Sequence, residues 1–123
     1  MMVLVDTSVW VDHLRSGDKR LAQLLNQSLV CGHPMIIGEL ACGHLQNRLP
    51  LLTLLQNLPW AVEAGHQEAL FFLEHHQLMG KGLGYIDLHL LAASLLSPDT
   101  QLWTRDKRLA RVAALLGVGF SAE

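Results

Sequence analysis

A short, uninterrupted apolar segment at residues 2–5 constrains the fold more than any other feature of this sequence. It ends abruptly at Asp6, Thr7 and Ser8, which are residue types that begin helices. A continuous apolar run of this length is typical of a strand that is buried on both faces, and such strands belong to parallel sheets. The pattern therefore predicts a buried parallel strand that is followed at once by a helix.

The rest of the chain alternates short apolar segments with helical patterns. We predict further strands at residues 29–31, 60–62, 101–103 and 118–120. The predicted helices are a segment after Ser8, a helix capped by Asp18, residues 35–47, 49–58, 67–79 and 85–96, and a last helix that Thr104, Arg105 and Asp106 open and that runs to about residue 116. This order indicates one α/β domain over residues 1–123, with helices on both faces of a mainly parallel sheet of four to five short strands.

The composition excludes several classes of protein. Half of the 123 residues are apolar and only 16% are charged, which argues against disorder and favours a protein partner. The chain shows no signal-peptide pattern and no long apolar run, so we expect a cytoplasmic protein without a membrane span. Cys31 and Cys42 lack metal-type spacing, and we expect both to be reduced and buried.

Four acidic residues stand where an α/β fold gathers its ligands, because open α/β sheets bind ligands at the carboxyl ends of their strands. Asp6 directly follows the first predicted strand, and Asp106 follows the strand predicted at 101–103. Glu39 and Asp87 lie near predicted helix starts that can face the same edge. Carboxylates with no nearby cysteine or clustered histidine are suited to hard cations such as Mg²⁺ or Mn²⁺.

Each of these acids also has a purely structural interpretation. Asp6 and Asp106 are good helix caps, and Asp106 could form ion pairs with its basic neighbours. Glu39 and Asp87 could stabilise their helices as negative charges near the positive end of the helix dipole. The seven histidines are scattered without an i,i+4 pair, so we assign them structural or surface roles. The segment at residues 80–84 lacks a phosphate-binding glycine pattern and is predicted to be a flexible loop.

The four acids lie in segments that together resemble PIN domains, in order and over essentially the whole chain. These segments are Val-Leu-Val-Asp-Thr-Ser-Val-Trp at 3–10, Ile-Gly-Glu-Leu-Ala-Cys-Gly at 37–43, Gly-Tyr-Ile-Asp-Leu-His-Leu-Leu-Ala-Ala at 84–93 and Leu-Trp-Thr-Arg-Asp-Lys-Arg-Leu at 102–109. Within that family the chain is similar to the VapC toxins of bacterial toxin–antitoxin pairs.

The resemblance implies a three-layer α/β/α fold and a metal-dependent endoribonuclease. It implies that Mg²⁺ or Mn²⁺ is held by four residues, which are Asp6, Glu39, Asp87 and Asp106. Hydroxyl groups beside the acids would orient these ligands, and they belong to Thr7, Ser8 and Thr104. The resemblance further implies an RNA substrate, a homodimer, and a small VapB-like antitoxin that fills the active-site groove in a heterotetramer or larger assembly.

A basic segment accompanies the fourth acid. It contains four of the nine basic residues, namely Arg105, Lys107, Arg108 and Arg111. These side chains could contact RNA phosphates, or they could form a solvated helix face. Many PIN domains place another acid shortly after the fourth one, where this chain continues with Lys107, Arg108 and Leu109. We therefore expect one tightly held ion and a second ion that arrives with the substrate.

Three other functions compete with this interpretation. A receiver-type signalling domain needs a second acid beside Asp6 and a phosphoacceptor aspartate near mid-chain, but residues 40–60 contain no acid. A phosphatase of the Asp-x-Asp kind needs an aspartate where Ser8 stands. The main alternative is a PIN-like module that binds RNA or an antitoxin with little catalysis, and the presence of all four acids disfavours it.

Overall fold

The computed structural model describes residues 1–122 and shows a parallel three-stranded sheet packed among helices. In chain order the elements are β1 (Met2–Val5), α1 (Thr7–Ser16), α2 (Lys19–Asn26), β2 (Val30–Cys31), α3 (Pro34–Ala41), α4 (Arg48–Gln56), α5 (His66–His75), α6 (Tyr85–Leu96), β3 (Thr100–Trp103) and α7 (Lys107–Leu115).

Strand β1 is the centre of the sheet, which has the order β2-β1-β3 with both pairs parallel. Val3, Leu4 and Val5 of β1 are each 0% exposed. Because successive side chains of a strand point to opposite faces, burial of all three means that both faces of the sheet are covered. The predicted α/β fold with a buried parallel first strand is therefore confirmed. The register pairs Val5 with Trp103, so β1 and β3 end side by side.

The sheet has fewer strands than the four to five that we expected. The segments predicted as strands at 60–62 and 118–120 form only isolated parallel bridges, which join Gly32 to Trp60 and Leu102 to Gly119. Pro59 has no backbone N–H, and the N–H of Val62 donates to the hydroxyl of Ser97 at 2.8 Å. Pairing beside β2 therefore stops after one residue.

Helix α3 is shorter than the predicted helix at 35–47, because its carboxyl end is capped by a side chain from further along the chain. The guanidinium of Arg48 donates to the carbonyl oxygens of Ala41 and Gly43. The backbone of Asn47 then adopts a left-handed conformation with φ of 52° and starts α4. Glu39 lies in the second turn of α3, near the start of the helix as predicted.

Helix α5 ends at His75, whereas the pattern predicted a helix at 67–79. Gln77 has a φ of 54°, and the N–H of Leu78 donates to the carbonyl of Leu73 at 3.1 Å. This arrangement is a Schellman motif, in which a left-handed residue reverses the chain and satisfies the last carbonyl groups. A glutamine at the left-handed position gave no signal in the sequence, since glycine is the residue usually found there.

The two cysteines have different environments, and the expectation that both are buried is wrong for one of them. Cys31 lies in β2 and is 4% exposed, whereas Cys42 follows α3 and is exposed. Both thiols are free. Burial raises the pKa of the Cys31 thiol to about 11.

None of the helices within residues 1–122 is both long enough and apolar enough to cross a membrane.

Candidate metal centre

Asp6 lies at the carboxyl end of the central strand and is the N-cap of α1. Its side chain is oriented by three donors. Oδ1 accepts from the backbone N–H of Thr7 at 2.8 Å, and Oδ2 accepts from the hydroxyls of Ser8 at 3.0 Å and Thr104 at 2.7 Å. The residue is 7% exposed. The carboxylate is therefore held at the edge of the sheet in one orientation.

The β3 side of the centre contributes Thr104 and Asp106. The hydroxyl of Thr104 donates to Asp6 and accepts from the backbone N–H of Asp106 at 3.1 Å. Asp106 is the N-cap of α7, where its Oδ1 accepts from the backbone N–H groups of Arg108 at 2.9 Å and Leu109 at 3.1 Å. Thr104 thus links the first and fourth acidic motifs directly, as the parallel register of β1 and β3 requires.

Glu39 reaches the same centre from α3. Its Oε1 accepts from the hydroxyl of Thr7 at 2.7 Å. The backbone N–H of Thr7 is bonded to Asp6, so Thr7 connects the first and second acidic motifs. Helix α3 is anchored at its start by His33, whose Nδ1 accepts from the N–H of Met35 at 3.1 Å, and by a proline at its first position.

Asp87 is the third residue of α6, and its Oδ2 accepts from the backbone N–H of Gly84 at 3.0 Å. Its pKa is raised above the ordinary value, first by burial and then by the negative charges of Asp6 and Asp106, while the hydrogen bond from Gly84 opposes the shift. Hydrogen bonds therefore link three of the predicted acids, Asp6, Glu39 and Asp106, around the end of β1. Asp87 is coupled to Asp6 and Asp106 through their charges.

The sequence pattern of the PIN domain matches residues 3–115. The chain belongs to the PIN-domain family. Two proteins named Ribonuclease VapC32, from Mycobacterium tuberculosis strains CDC 1551/Oshkosh and ATCC 25618/H37Rv, are each 43% identical to this PIN domain over 122 residues, which are 99% of the chain and 98% of each relative. The predicted resemblance to VapC-type PIN domains is confirmed.

The four predicted phosphate-contacting residues of the PIN domain differ in their environments. The guanidinium of Arg105 is paired with Asp12 and Asp18, and the hydrogen bond to Asp12 is the leading cause that raises the pKa of Arg105 above its ordinary value. The other three cations are exposed and form no ion pair with residues 1–122; they are Lys107, Arg108 and Arg111. The exposed cations are therefore available to a substrate, whereas Arg105 already has two partners.

The side chain of Arg108 packs against the glycine loop that precedes α6. Gly82 has a φ of 78°, and a Cβ atom at this position would lie 2.6 Å from Cδ of Arg108. Only a glycine permits both this backbone conformation and this close approach. From the sequence alone, residues 80–84 are predicted only to be a flexible loop, because no local pattern indicates that a residue of α7 packs on it.

The donor set of the PIN domain fits a hard divalent cation in its chemistry. Within the described part of the chain, no three acidic, histidine or cysteine side chains stand close enough to bind one ion in their present rotamers. Each carboxylate nevertheless has lone pairs beyond those used in its hydrogen bonds. Burial and, after it, the like charges of Asp6 and Asp106 raise the pKa of Asp87, and a bound cation would offset the repulsion among these charges. Carboxylate oxygens are also the ligands that Mg²⁺ and Mn²⁺ prefer.

Proposed function

We propose that this chain is a single-domain, VapC-type endoribonuclease toxin that hydrolyses RNA phosphodiester bonds with Mg²⁺ or Mn²⁺. The observation that carries the proposal is the hydrogen-bonded path from Glu39 through Thr7 to Asp6, and on through Thr104 to Asp106. Two relatives that match nearly the whole chain are named ribonucleases, which supports RNA as the substrate.

The proposed metal ligands are the four acids of the centre, which are Asp6, Glu39, Asp87 and Asp106. Glu39, Asp87 and Asp106 each use one carboxylate oxygen in the hydrogen bonds described above. Their second oxygens can turn toward an ion while the helix caps stay in place.

A divalent ion at this centre would lower the pKa of a bound water and neutralise charge on the phosphodiester. The contribution of the protein is to place the ligands before the substrate arrives. Thr7, Ser8 and Thr104 fix the orientation of Asp6 through their donated hydrogen bonds. Such bonds to a ligand usually change metal affinity or activity by about 10–100-fold when they are lost.

The exposed cations of α7 are the proposed contacts to the RNA backbone, namely Lys107, Arg108 and Arg111. Phosphate contacts position a nucleic acid without reading its sequence. Lys107 and Arg108 also stand where many family members have a further acid. This basic replacement supports one resident ion, with a second ion that binds together with the substrate.

The surface beside the centre supports control by an antitoxin. Thr7 and Glu39 open onto a groove of about 660 Å³. Its walls include apolar side chains from α1, α3 and α4 and the segment before α4, namely Val11, Leu14, Leu40, Leu45 and Leu51. We propose that a segment of a VapB-like antitoxin fills this groove and blocks the centre, in a heterotetramer or larger assembly in the cytoplasm.

A homodimer is proposed on the basis of a second apolar surface. Phe71 on α5 is 70% exposed, and Leu95 and Leu96 on α6 are 40% and 47% exposed. These side chains line one continuous depression between the two helices. Exposed apolar surface of this kind is typical of protein contacts.

The test is an RNA-cleavage assay with Mn²⁺, Mg²⁺ or EDTA, applied to the wild-type protein, Asp6→Asn and the matched control Glu74→Gln. Glu74 is exposed on α5, so its substitution removes one charge away from the centre. We expect cleavage by the wild type and the control only with a divalent ion, and none by Asp6→Asn. Cleavage that persists in EDTA would contradict metal dependence. RNA or antitoxin binding without cleavage would favour the binding module.

A further inference from the structure

The guanidinium of Arg105 connects the loop between β3 and α7 to helices α1 and α2, next to the candidate metal centre. Arg105 lies between β3 and α7, and its Nη1 donates to Oδ2 of Asp12 in α1 at 2.5 Å. Its Nη2 donates to Oδ2 of Asp18, the N-cap of α2, also at 2.5 Å. The planar fork of arginine can hold two carboxylates in fixed directions, which the single ammonium of lysine cannot do.

The backbone of the same residue contacts the acid centre. The N–H of Arg105 donates to the hydroxyl of Ser8 at 3.0 Å, and that hydroxyl donates to Oδ2 of Asp6. The guanidinium carbon also lies 5.8 Å from the ring centroid of Trp103, the last residue of β3. Arg105 is therefore held at both its main chain and its side chain, between Thr104 and Asp106.

We propose that Arg105 is a positioning residue, and that Asp12, Arg105 and Asp18 form a brace that sets the affinity of the centre for its metal ion. The brace holds the loop that carries Thr104 and Asp106 against Asp6, so the loop does not have to be ordered when the ion binds. A loop that is already ordered increases metal affinity, because the entropic cost of ordering it no longer opposes binding. This inference rests on the proposed function of the centre.

Electrostatics and positioning predict opposite signs for the loss of Arg105. A positive charge beside an acidic centre repels a cation, so its removal should by charge alone tighten Mn²⁺ binding. Loss of the brace should weaken Mn²⁺ binding, because the loop becomes mobile. The direction of the change in affinity therefore separates the two effects.

The experiment measures Mn²⁺ affinity by titration calorimetry on the full chain and uses Arg105→Gln, Arg105→Lys and the control Lys19→Gln. We expect binding about tenfold weaker in Arg105→Gln, within the range usual for groups that orient metal ligands. Arg105→Lys should fall between it and the wild type. The control removes an exposed positive charge next to Asp18 and should bind Mn²⁺ as the wild type does.

Substitutions of the two carboxylates test whether the effect passes through the brace. Asp18→Asn keeps a good helix cap for α2 but loses the ion pair. In a protein that carries Asp12→Asn and Asp18→Asn, the further change Arg105→Gln should alter Mn²⁺ affinity far less than it does in the wild type. An equal effect in both backgrounds would overturn the proposal.

Cleavage kinetics separate positioning from direct contact with RNA. If Arg105 acts through the metal, saturating Mn²⁺ should restore the KM of Arg105→Gln for RNA to the wild-type value. A raised KM that persists at saturating Mn²⁺ would assign Arg105 to phosphate binding and overturn the brace. If Arg105→Gln fails to fold, Arg105→Lys decides, since it keeps the charge, and its unchanged Mn²⁺ affinity would overturn the brace.

The outcomes also distinguish this proposal from the function on which it rests. A folded wild-type protein that neither binds Mn²⁺ nor cleaves RNA overturns both. A wild type that binds and cleaves, with Arg105→Gln binding Mn²⁺ equally or more tightly, overturns the brace alone.

Discussion

The four acids divide into a strand-borne pair, Asp6 and Asp106, and a helix-borne pair, Glu39 and Asp87. Asp6 accepts three hydrogen bonds, and the loop of Asp106 is tied to it by Thr104 across the parallel register of β1 and β3. Glu39 and Asp87 are each held by a single side-chain hydrogen bond. The sheet fixes the first pair through the main chain, whereas the second pair depends on how two helices pack.

This difference predicts a ranking of functional sensitivity within one centre. The strand-borne carboxylates should tolerate almost no change, because Asp6 accepts hydrogen bonds on both of its oxygens and Asp106 accepts two at the start of α7. The helix-borne carboxylates have fewer fixed partners and can adjust by rotating. Unequal losses of activity would support the ranking, and equal losses would break it.

The largest expected effect is at Asp6. Asp6→Asn should reduce cleavage to background, whereas Glu39→Gln should reduce it less and leave measurable cleavage. The hydroxyls of Ser8 and Thr104 can rotate to accept from an amide, so Asp6→Asn should remain folded. Single-turnover cleavage rates, with unfolding by urea as the check on folding, provide the measurement. An equal loss in the two variants would remove the distinction between the pairs.

The hydroxyl groups that link the motifs should follow the same ranking. Thr104→Val removes the bond that joins Asp6 to the loop of Asp106, and we expect a loss of Mn²⁺ affinity near the upper end of about 10–100-fold. Thr7→Val removes only the side-chain bond to Glu39 and should fall near the lower end of that range. Thr104→Ser keeps the hydroxyl and serves as the control. Calorimetric titration with Mn²⁺ measures the two losses of affinity. A larger loss in Thr7→Val than in Thr104→Val would contradict the predicted ranking.

A smaller effect is expected where α7 meets the loop before α6. Gly82→Ala should displace Arg108 and raise the KM for RNA about fivefold, which is roughly the 1 kcal/mol of one hydrogen bond, with kcat little changed. Gly80→Ala is a matched control, because Gly80 also has a positive φ, of 74°, but a Cβ there meets nothing within 4 Å. The same KM in both variants would show that backbone strain, and not Arg108, causes the effect.

The smallest expected effect is a pH dependence of the free energy of unfolding that arises at the start of α3, the helix that carries Glu39. Burial lowers the pKa of His33, which caps α3 in its neutral form. The unfolded chain therefore takes up the proton first, so the free energy of unfolding should be highest above the ordinary histidine pKa of about 6.5 and should decrease as the pH falls below it. His33→Asn keeps a capping side chain and should flatten this decrease. Urea unfolding at several pH values would reveal it, and an unchanged slope would exclude His33 as a source.

The sheet and the strand-borne acids could be predicted because their signals are local. The apolar run of β1 ends at Asp6, and a parallel neighbour that ends at Trp103 brings Thr104 and Asp106 to the same edge. Burial on both faces and the helix caps leave few other arrangements for such a pattern.

The remaining features depend on contacts between distant parts of the chain. The carboxyl end of α3 is capped by Arg48. The partners of Arg105 are Asp12 and Asp18, which lie near the opposite end of the sequence. No periodic pattern of apolar residues in the sequence indicates such long-range contacts. The sequence therefore allows only one interpretation at a time for the whole basic segment, either phosphate contacts or a solvated helix face, whereas the structure separates the paired Arg105 from the exposed cations of α7.

The proposed function requires that the carboxylates at the end of β1 share one ion. A crystal grown with Mn²⁺, with diffraction measured for anomalous scattering, locates that ion directly. We expect one strong anomalous peak within ligand distance of Asp6 and of at least two among Glu39, Asp87 and Asp106, and no such peak in Asp6→Asn crystals. A well-ordered wild-type crystal whose Mn²⁺ lies elsewhere, or that binds none at this edge, would exclude the shared ion.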